Sequence, residues 1–257
     1  MGNAQDIKYF IDLLLAMTEK EMKARYKHAV FGFLWVLLNP LFQMAVIGVI
    51  FSFFVRVNVE NYFLFLFTGL LPWQFFSLSL TKSTPAFVFE RSLLQKAKFP
   101  HEVIPLSIIL SNFSHLAVSL SLLIIFLYSL GSLQFPRILW LIPALISLLL
   151  LTIGVSFLTA ALQVRFRDVK FIVESLLIIW FYATPILYNL ELISTTIRRL
   201  FFLNPLASIF EVFHFAILGQ AFPDKTLLAS NAIVLLIILM VGVAVFKREQ
   251  NYFVDWL

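Results

Sequence analysis

The chain has 257 residues, of which 61% are hydrophobic and only 13% are charged, and its mean hydropathy is +0.95. About a quarter of the residues are charged in an ordinary soluble domain, so this composition excludes a soluble globular protein and indicates an integral membrane protein. The chain contains no cysteine, which excludes a disulfide framework and a thiolate metal site.

The first predicted element is an amphipathic helix over residues 6–30. Ile7, Ile11, Leu14 and Met22 recur near helical spacing, while charged residues occupy another stripe. This pattern predicts a helix that lies along the cytoplasmic surface of the membrane. Two uses remain open for it: an ordinary surface anchor, or a docking site for a cytosolic partner.

Six continuous apolar windows predict membrane-spanning helices, because about twenty apolar residues are needed to cross a hydrocarbon layer of roughly 30 Å. The windows are residues 34–55, 62–80, 103–130, 138–164, 171–188 and 226–246. Barrel strands would show alternating polarity instead. The predicted fold class is therefore an all-α integral membrane protein, with residues 1–257 forming one transmembrane domain.

The basic residues predict the orientation of these spans. Of the 19 Lys and Arg residues, all but five fall on one side of the six-span arrangement, the exceptions being Arg56, Arg137, Arg198, Arg199 and Lys225. Because basic residues are disfavoured in translocated loops, we expect both termini in the cytoplasm. This topology signal accounts for most of the net charge of +5, and no nucleic-acid partner is expected.

Residues 84–99, between the second and third spans, are longer than a simple connection requires. Thr84-Pro85 is typical of a helix start, and Pro100 supplies a stop after two lysines. We therefore expect a cytoplasmic helix that docks a partner. A solvated charged loop is the alternative.

On the outer side, residues 190–225 contain two short apolar segments separated by Asn204-Pro205. Each segment is too short to cross the membrane alone. Short helices of this length are typical of re-entrant segments. We therefore predict a helical hairpin that dips into the membrane from outside.

Motifs for catalysis or metal binding are missing from the sequence. There is no Gly-Lys dipeptide, so the phosphate-binding loop GxxxxGK[ST] of ATPases is excluded. The four histidines lie in separate predicted elements without HExxH spacing, so no metal site is expected. Glu211 and His214 share a helical face, and we favour a structural hydrogen bond there over a proton relay. We therefore expect this membrane protein to draw its energy from a separate subunit.

Several Trp and Tyr residues lie within the predicted spans. Trp and Tyr rings can stack on sugars, but they also collect at membrane interfaces, and the second explanation is the stronger one from composition alone. The residues concerned are Trp35, Trp73, Trp140, Trp180, Tyr182 and Tyr188.

Five segments, taken in order, resemble one family. They are ARYKHAVFGFLWVLLNPLFQM, LLQKAKFPHEVIPL, VRFRDVK, ATPILY and FLNPL. Together they resemble the permease subunits of polysaccharide and polyol-phosphate ABC exporters, the O-antigen exporter permeases called Wzm first and the teichoic acid exporter permeases next. The resemblance extends over essentially the whole chain. It implies a homodimer of six-span protomers, no cofactor in this chain, and two copies of a cytosolic ATPase that binds ATP and Mg.

The same resemblance implies roles for individual residues. The contacts that couple the permease to the ATPase would involve Lys23, Arg25, Tyr26, Glu90, Arg91, Gln95, Lys96, Lys98 and Phe99. The channel and its mouths would involve Phe31, Trp35, Trp73, Arg165, Arg167, Trp180, Tyr182 and Tyr188. Of these, the two arginines would meet the pyrophosphate of the substrate. The outer gate would involve Asn204, Pro205 and Glu211.

The implied function is the permease half of an ATP-driven exporter, a transport subunit and not an enzyme. It would move an undecaprenyl-linked polysaccharide, such as O-antigen, across the bacterial inner membrane, where membrane lipids surround it. Three alternatives remain open: a teichoic acid exporter permease, a non-transporting scaffold that recruits cytosolic enzymes, and an ion-coupled transporter that uses Glu211.

Overall fold

The computed structural model describes residues 4–26, 34–51, 61–96, 99–133, 135–190 and 193–256, and every regular element in these ranges is helical. The α-helices are α1 Ala4–Tyr26, α2 Trp35–Ile50, α3 Tyr62–Ser83, α4 Ala86–Phe89, α5 Arg91–Lys96, α6 Val103–Ser129, α7 Phe135–Ile138, α8 Leu141–Arg165, α9 Val169–Tyr182, α10 Thr195–Arg198, α11 Pro205–Leu218, α12 Lys225–Glu249 and α13 Phe253–Trp256. Two 3-10 helices, Arg199–Leu203 and Gln250–Tyr252, follow α10 and α12.

Within the described ranges, four helical stretches are long and apolar enough to cross a membrane: Tyr62–Ser83, Val103–Ser129, Phe135–Arg165 and Lys225–Tyr252. A fifth crossing requires that Thr196–Leu203 and Pro205–Leu218, which are bent by 99° at their junction, count as one span. The prediction of an all-helical membrane protein is thus confirmed. The predicted count of six spans is not.

Two predicted spans are shorter in the structure. Helix α9 has 14 residues and ends at Tyr182 instead of residue 188; at 1.5 Å per residue it is about 21 Å long, less than the hydrocarbon layer. It ends there because Pro185 cannot continue a helix and disfavours helical backbone at Thr184. Helix α2 has 16 residues, and the predicted end of its span at residue 55 lies outside the described residues.

Helix α3 forms the centre of the fold, in contact with α2, α6, α8, α9 and α11. Its sequence is apolar on all sides, as expected of a helix that is buried all round. Phe65, Leu66 and Phe76 are at most 1% exposed. Helices α2 and α12, in contrast, carry many exposed apolar side chains, which suits contact with lipid or with another protein chain.

Helices α8 and α12 form the most extensive helix pair of the described residues. Gly154 on α8 faces Gly242 on α12, and a Cβ atom on Gly242 would overlap the carbonyl oxygen of Gly154. A Cβ atom on Gly154 would in turn lie 2.7 Å from the Cα of Leu239. Only glycine permits this approach of the two backbones, the arrangement that small residues allow between membrane helices.

The predicted helix over residues 84–99 is divided into α4 and α5. Glu90 lies between them with φ −94° and ψ 21°, outside helical geometry. Residues 97–98, where the predicted helix ends, lie outside the described residues. The segment therefore consists of two short helices, interrupted at Glu90, in place of one continuous helix.

The segment over residues 190–225, which the sequence predicts as an outer hairpin and which keeps the name outer segment below, contains α10, a 3-10 helix and α11. Asn204 caps α11, because its side chain accepts a hydrogen bond from the N–H of Leu206 and Pro205 occupies the first helical position. Gly219 ends α11 with φ +72°, a conformation that glycine adopts without steric cost. Asp224 then caps α12 through the N–H of Thr226, at 2.8 Å.

Candidate functional site

Arg25, near the end of the amphipathic helix α1, extends its side chain to α6. Its guanidinium donates hydrogen bonds to Asn112 Oδ1 and His115 Nδ1. Asn112 Nδ2 in turn donates to Ser79 Oγ on α3, at 3.1 Å. Because arginine can only donate, His115 Nδ1 is the acceptor, so this imidazole carries no proton on that nitrogen. These hydrogen bonds connect α1 with α6 and, through Asn112, with α3.

Polar side chains continue from this cluster along α2 and α3. Gln43 Nε2 donates to Asn39 Oδ1 at 3.4 Å, and Gln74 Nε2 donates to Gln43 Oε1 at 3.2 Å. Asn39 and Gln43 are exposed although the helix around them is apolar. Exposed amides are costly against lipid, so this face of α2 is suited to contact with a second chain or with water.

The two predicted coupling elements touch each other directly. Lys20 on α1 forms an ion pair of 2.7 Å with Glu90, the residue between α4 and α5. Lys23 pairs with Glu19 on its own helix instead. The structure thus brings the amphipathic helix against the segment that sequence analysis assigned to the same interface.

The other predicted coupling residues differ from one another in exposure to solvent. Arg91, Gln95 and Lys96 are exposed on α5, and Phe99 is half-buried with its ring edge-on to His101. Arg25 points inward to α6 and away from any docking surface of α1. Lys98 and the side chain of Tyr26 lie outside the described residues.

The α4–α5 segment packs against aromatic residues near the carboxyl end of the chain. Phe253 on α13 is fully buried and packs against Phe87 of α4, with tilted rings, and edge-on against Phe246 of α12, with ring centroids 4.6 and 5.6 Å apart. His101 packs on the same ring at 5.8 Å, and burial lowers the pKa of His101 below its usual range. The α4–α5 segment is therefore held by an aromatic cluster that includes residues of α12 and α13.

The two arginines predicted to meet a pyrophosphate are exposed beside the loop between α8 and α9. Arg165 lies over the rings of Phe166 and Trp256, 5.2 and 5.3 Å from their centroids. Arg167 donates to the carbonyl oxygen of Trp256 at 3.5 Å. In the described structure their partners are thus the aromatic rings and backbone at the chain end. On α9, which follows this loop, Lys170 forms an ion pair with Glu174 one helical turn later, at 3.9 Å.

At the other end of the molecule, Asn204 is the centre of a hydrogen-bond network. Its Oδ1 accepts from the indole N–H of Trp180 at 2.8 Å and from the N–H of Leu206 at 3.1 Å. Its Nδ2 donates to the carbonyl of Ala183 at 2.8 Å and to Thr184 Oγ1 at 3.2 Å. One amide therefore joins the end of α9 to the start of α11.

The same junction lines an open cavity of about 580 Å³. Trp180, Tyr182, Tyr188, Asn204 and Pro205 all contribute to it. Tyr188 donates its hydroxyl to the carbonyl of Tyr182 at 2.7 Å. The structure thus brings three predicted channel aromatics together with two predicted gate residues.

Asn231 on α12 fixes the other side of the outer segment. Its Nδ2 donates to the carbonyls of Phe201 and Phe202, each at 3.0 Å, and its Oδ1 accepts from the N–H of Ser208 at 3.0 Å. Asn231 is 1% exposed. A buried amide that satisfies three backbone groups makes the position of the segment specific.

Other predicted channel residues are placed apart from this junction. Trp73 is 7% exposed and packs in the core against Phe76 and Phe181, whereas Trp35 is 43% exposed on α2. Phe31 lies outside the described residues. Glu211 and His214 line a small outer cavity, but the described hydrogen bond of His214 Nε2 is with the carbonyl of Phe65, at 3.2 Å.

Taken together, the described structure is a helical membrane protein with a polar cluster near one end and, at the other, a bent helix pair that is held by hydrogen bonds of Asn204 and Asn231. Residues 12–218 match the family model described as ABC-2 type transporter. The chain therefore belongs to the ABC-2 type transporter family of membrane domains. This membership confirms the prediction of a transport subunit.

Relatives extend this similarity over almost the whole chain. An "O-antigen export system permease protein RfbA" of Myxococcus xanthus is 33% identical over 98% of this chain and 97% of its own length. A protein of the same description from Klebsiella pneumoniae is 34% identical over the same shares. The "Polysialic acid transport protein KpsM" of Escherichia coli is 21% identical over 92% of this chain and 93% of its own.

Sequence reasoning missed Asn112, Gln74 and Asn231 because it searched the apolar windows only for ionisable groups. Neutral amides in such windows are a usable signal, since side-chain amides hydrogen-bond across membrane helices. The sequence gives no indication of a partner for His115, one of the four histidines. Its partner Arg25 is 90 residues away along the chain, and no local pattern connects the two.

Proposed function

We propose that this chain is the membrane-embedded permease half of an ATP-driven exporter that moves a lipid-linked polysaccharide, O-antigen or a similar glycan, out of the cytoplasm. The observation that carries the proposal is the near full-length similarity to three O-antigen export permeases at 32–34% identity. The weaker similarity to a polysialic acid transport protein agrees in substrate class, since both substrates are polysaccharides.

The finer parts of the proposal draw support from the geometry. Two copies of the chain form the channel, which would cover the exposed amides of α2 and the apolar face around them. Two copies of a cytosolic ATPase, which bind ATP and Mg, dock on α1 and the α4–α5 segment, where Lys20 and Glu90 join the two elements. Both termini lie in the cytoplasm, and the substrate is carried on undecaprenyl pyrophosphate in the bacterial inner membrane.

The cavity of about 580 Å³ at the junction of α9 and α11 suits passage of a glycan. Tyr182 and Tyr188 offer ring faces for sugar stacking, and Asn204 holds α9 and α11 in register beside them. Opening of this end would require the hydrogen bonds of Asn204 to be rearranged, which gives Asn204 and Pro205 the position of a gate.

Export is tested by depleting the chain in its native cells and measuring how the lipid-linked glycan is distributed between the two leaflets of the inner membrane. We expect glycan to accumulate on the cytoplasmic side. An unchanged distribution would reject the exporter and favour the scaffold. Abolition of export by collapse of the proton gradient alone, at normal ATP, would favour the ion-coupled transporter.

The docking surface is tested by co-purification of the tagged chain with its ATPase. Reversal of the exposed charges Arg91 and Lys96 to Glu is expected to remove the ATPase from the preparation. The matched control is Lys247→Glu, an equally exposed cation at the end of α12, which should retain it. Loss of the ATPase in all variants alike would contradict a specific surface on α5.

A further inference from the structure

Three side-chain amides meet on the surface of α2 and α3, and we call them the amide cluster: Asn39, Gln43 and Gln74. Gln43 Nε2 donates to Asn39 Oδ1 at 3.4 Å, and Gln74 Nε2 donates to Gln43 Oε1 at 3.2 Å. Hydrogen bonds from N–H to oxygen most often measure about 2.9–3.0 Å in proteins, so both of these bonds are long and weak. Amides that are held this loosely can exchange their partners for groups of a ligand.

Much of the hydrogen-bonding capacity of the amide cluster is unused. Each side-chain amide has two N–H donors and a carbonyl oxygen that accepts two hydrogen bonds. Among the residues that the structure describes, Asn39 Nδ2 donates to no group and Gln74 Oε1 accepts from none. Leaving such groups unsatisfied in hydrocarbon is costly. The amide cluster therefore requires a polar occupant in place of lipid tails.

The amide of Asn231 shows what a purely structural amide looks like in this protein. Asn231 is 1% exposed, and its three described hydrogen bonds, each of 3.0 Å, all go to backbone groups of the outer segment. Asn39 and Gln43 are instead exposed, and their side chains bond only to amides of the cluster. The amide cluster is thus placed for contact with a group outside its own protomer.

The chemistry of the amide cluster matches that of a sugar. A hydroxyl group both donates and accepts hydrogen bonds, as a side-chain amide does, and the three amides carry no charge. Asn39 and Gln43 are four residues apart, so they lie on one helical face about 6 Å apart along the axis of α2. Asn39 and Gln74 also line a cavity of about 210 Å³, several times the roughly 30 Å³ that a water occupies in the liquid. There is therefore space for hydroxyl-bearing groups beside the amides.

We propose that the amide cluster of Asn39, Gln43 and Gln74 binds hydroxyl groups of the exported glycan. The proposal rests on the proposed function, since it identifies where the polymer touches the membrane domain. The channel between two copies of the chain shields this face of α2 from lipid, and the amides line the path. Because an amide can pair with any hydroxyl, weak bonds of this kind hold a polymer without selecting one sugar and release it as it moves on.

Photo-crosslinking of the full-length chain in its native cells tests this contact. A benzophenone amino acid replaces Phe42, which precedes Gln43 on α2 and is 59% exposed. The control position is Met240 on α12, an apolar residue that is 63% exposed. After irradiation, the purified chain is separated by gel electrophoresis and probed for the tag and for attached carbohydrate. We expect carbohydrate on the chain that carries the crosslinker at position 42 and none on the chain that carries it at position 240.

A crosslink from position 42 to a second copy of the chain, without carbohydrate, would overturn the proposal and assign this face to contact between the two copies. Absence of carbohydrate at position 42, or equal amounts at both positions, would also overturn it. The depletion experiment keeps the two proposals apart. Loss of export on depletion without carbohydrate at position 42 would reject the site and leave the exporter intact. Carbohydrate at position 42 with unchanged export on depletion would support the contact and reject the exporter.

Variants of Asn39 test whether the amides hold the glycan. The described hydrogen bond of Asn39 stays within α2, so Asn39→Leu leaves the contacts between α2 and α3 in place. We expect it to lower carbohydrate crosslinking at position 42 about twofold to tenfold, as loss of neutral hydrogen bonds should, at an unchanged melting temperature. Asn39→Gln keeps an amide and should retain most of the crosslinking. Val46→Leu is the control, an exposed position of the same helix without an amide. Equal crosslinking in Asn39→Leu and Val46→Leu, or a decrease that comes only with a lower melting temperature, would contradict the proposal.

Discussion

The two ends of this molecule are held together by different chemistry. At the outer end, Asn204 and Asn231 join helices through amide contacts, most of them to backbone groups. At the α1 end, Arg25 and Lys20 bridge elements through charged side chains, and the first of these lies beside a cavity. Neutral amide bonds in a buried setting fix one arrangement, whereas charges beside open space respond to ligands, salt and partners. We therefore expect the end that contains Asn204 and Asn231 to keep one arrangement and the α1 end to exchange contacts more readily.

The largest effect is expected at Asn231. Replacement by Leu leaves the carbonyl of Phe202 and the N–H of Ser208 without their described partner, whereas the carbonyl of Phe201 still accepts from the N–H of Asn204. Each group left without a partner costs about 1–3 kcal/mol, so we expect a loss of roughly 2–6 kcal/mol of unfolding free energy. Thermal unfolding in detergent, followed by tryptophan fluorescence, measures it. Ser230→Ala is the control, because this hydroxyl bonds within its own helix to Leu227. Equal melting temperatures for Asn231→Leu and the parent would show that the outer end is not held by this amide.

A smaller effect is expected at Trp180. Replacement by Phe removes the indole donor to Asn204 but leaves the other bonds of Asn204, so the cost should be about 1 kcal/mol. A cysteine placed at the exposed Leu203 should then react faster with an aqueous maleimide, since the start of α11 opens more often. Trp140→Phe is the control, as its described contacts are ring contacts with Phe215 and Phe222. Identical rates in both variants would separate Trp180 from gating.

The smallest effect on stability is expected for Lys20 and Glu90. Their ion pair is partly exposed, with side chains 54% and 27% exposed, and such pairs contribute at most about 1 kcal/mol. Reversing either charge should lower the melting temperature slightly, and the double reversal should restore it. The differences should vanish in 1 M salt, where the Debye length is about 3 Å.

The pair Lys170 and Glu174, which lies within α9 and is also partly exposed, provides the control for this ion pair. Reversal of these charges should leave export unchanged, whereas single reversal at Lys20 or Glu90 should reduce it. A failure of the double reversal to restore export would mean that these side chains act on the ATPase separately and not through each other.

Much of the fold could be predicted from the sequence because lipid imposes simple rules. The long apolar windows that became α3, α6, α8 and α12 were placed within a few residues, and Asn204-Pro205 correctly marked the break between short outer helices. The amphipathic stripe predicted α1. Each of these signals is local, since it depends on hydropathy or on the backbone limits of proline.

The rest depended on contacts between distant parts of the chain. The end of α9 at Tyr182 was missed because apolar residues continue as far as residue 188, and the effect of Pro185 was given too little weight. The inward direction of Arg25 could not be predicted, because its partners Asn112 and His115 lie on α6. Trp73 was expected near the channel, but a tryptophan in an apolar window gives no sign of whether it faces the core.

The contact of Gly154 with Gly242 limits how this protein can change shape. Two backbones in direct contact leave no room for α8 and α12 to slide past one another, because any shift would drive a side chain such as Leu239 into the opposing backbone. We therefore expect these two helices to move as one rigid body during transport. Relative motion is then expected in the elements at the two ends of this pair. These are α1 with the α4–α5 segment at one end, and α9 with α11 at the other.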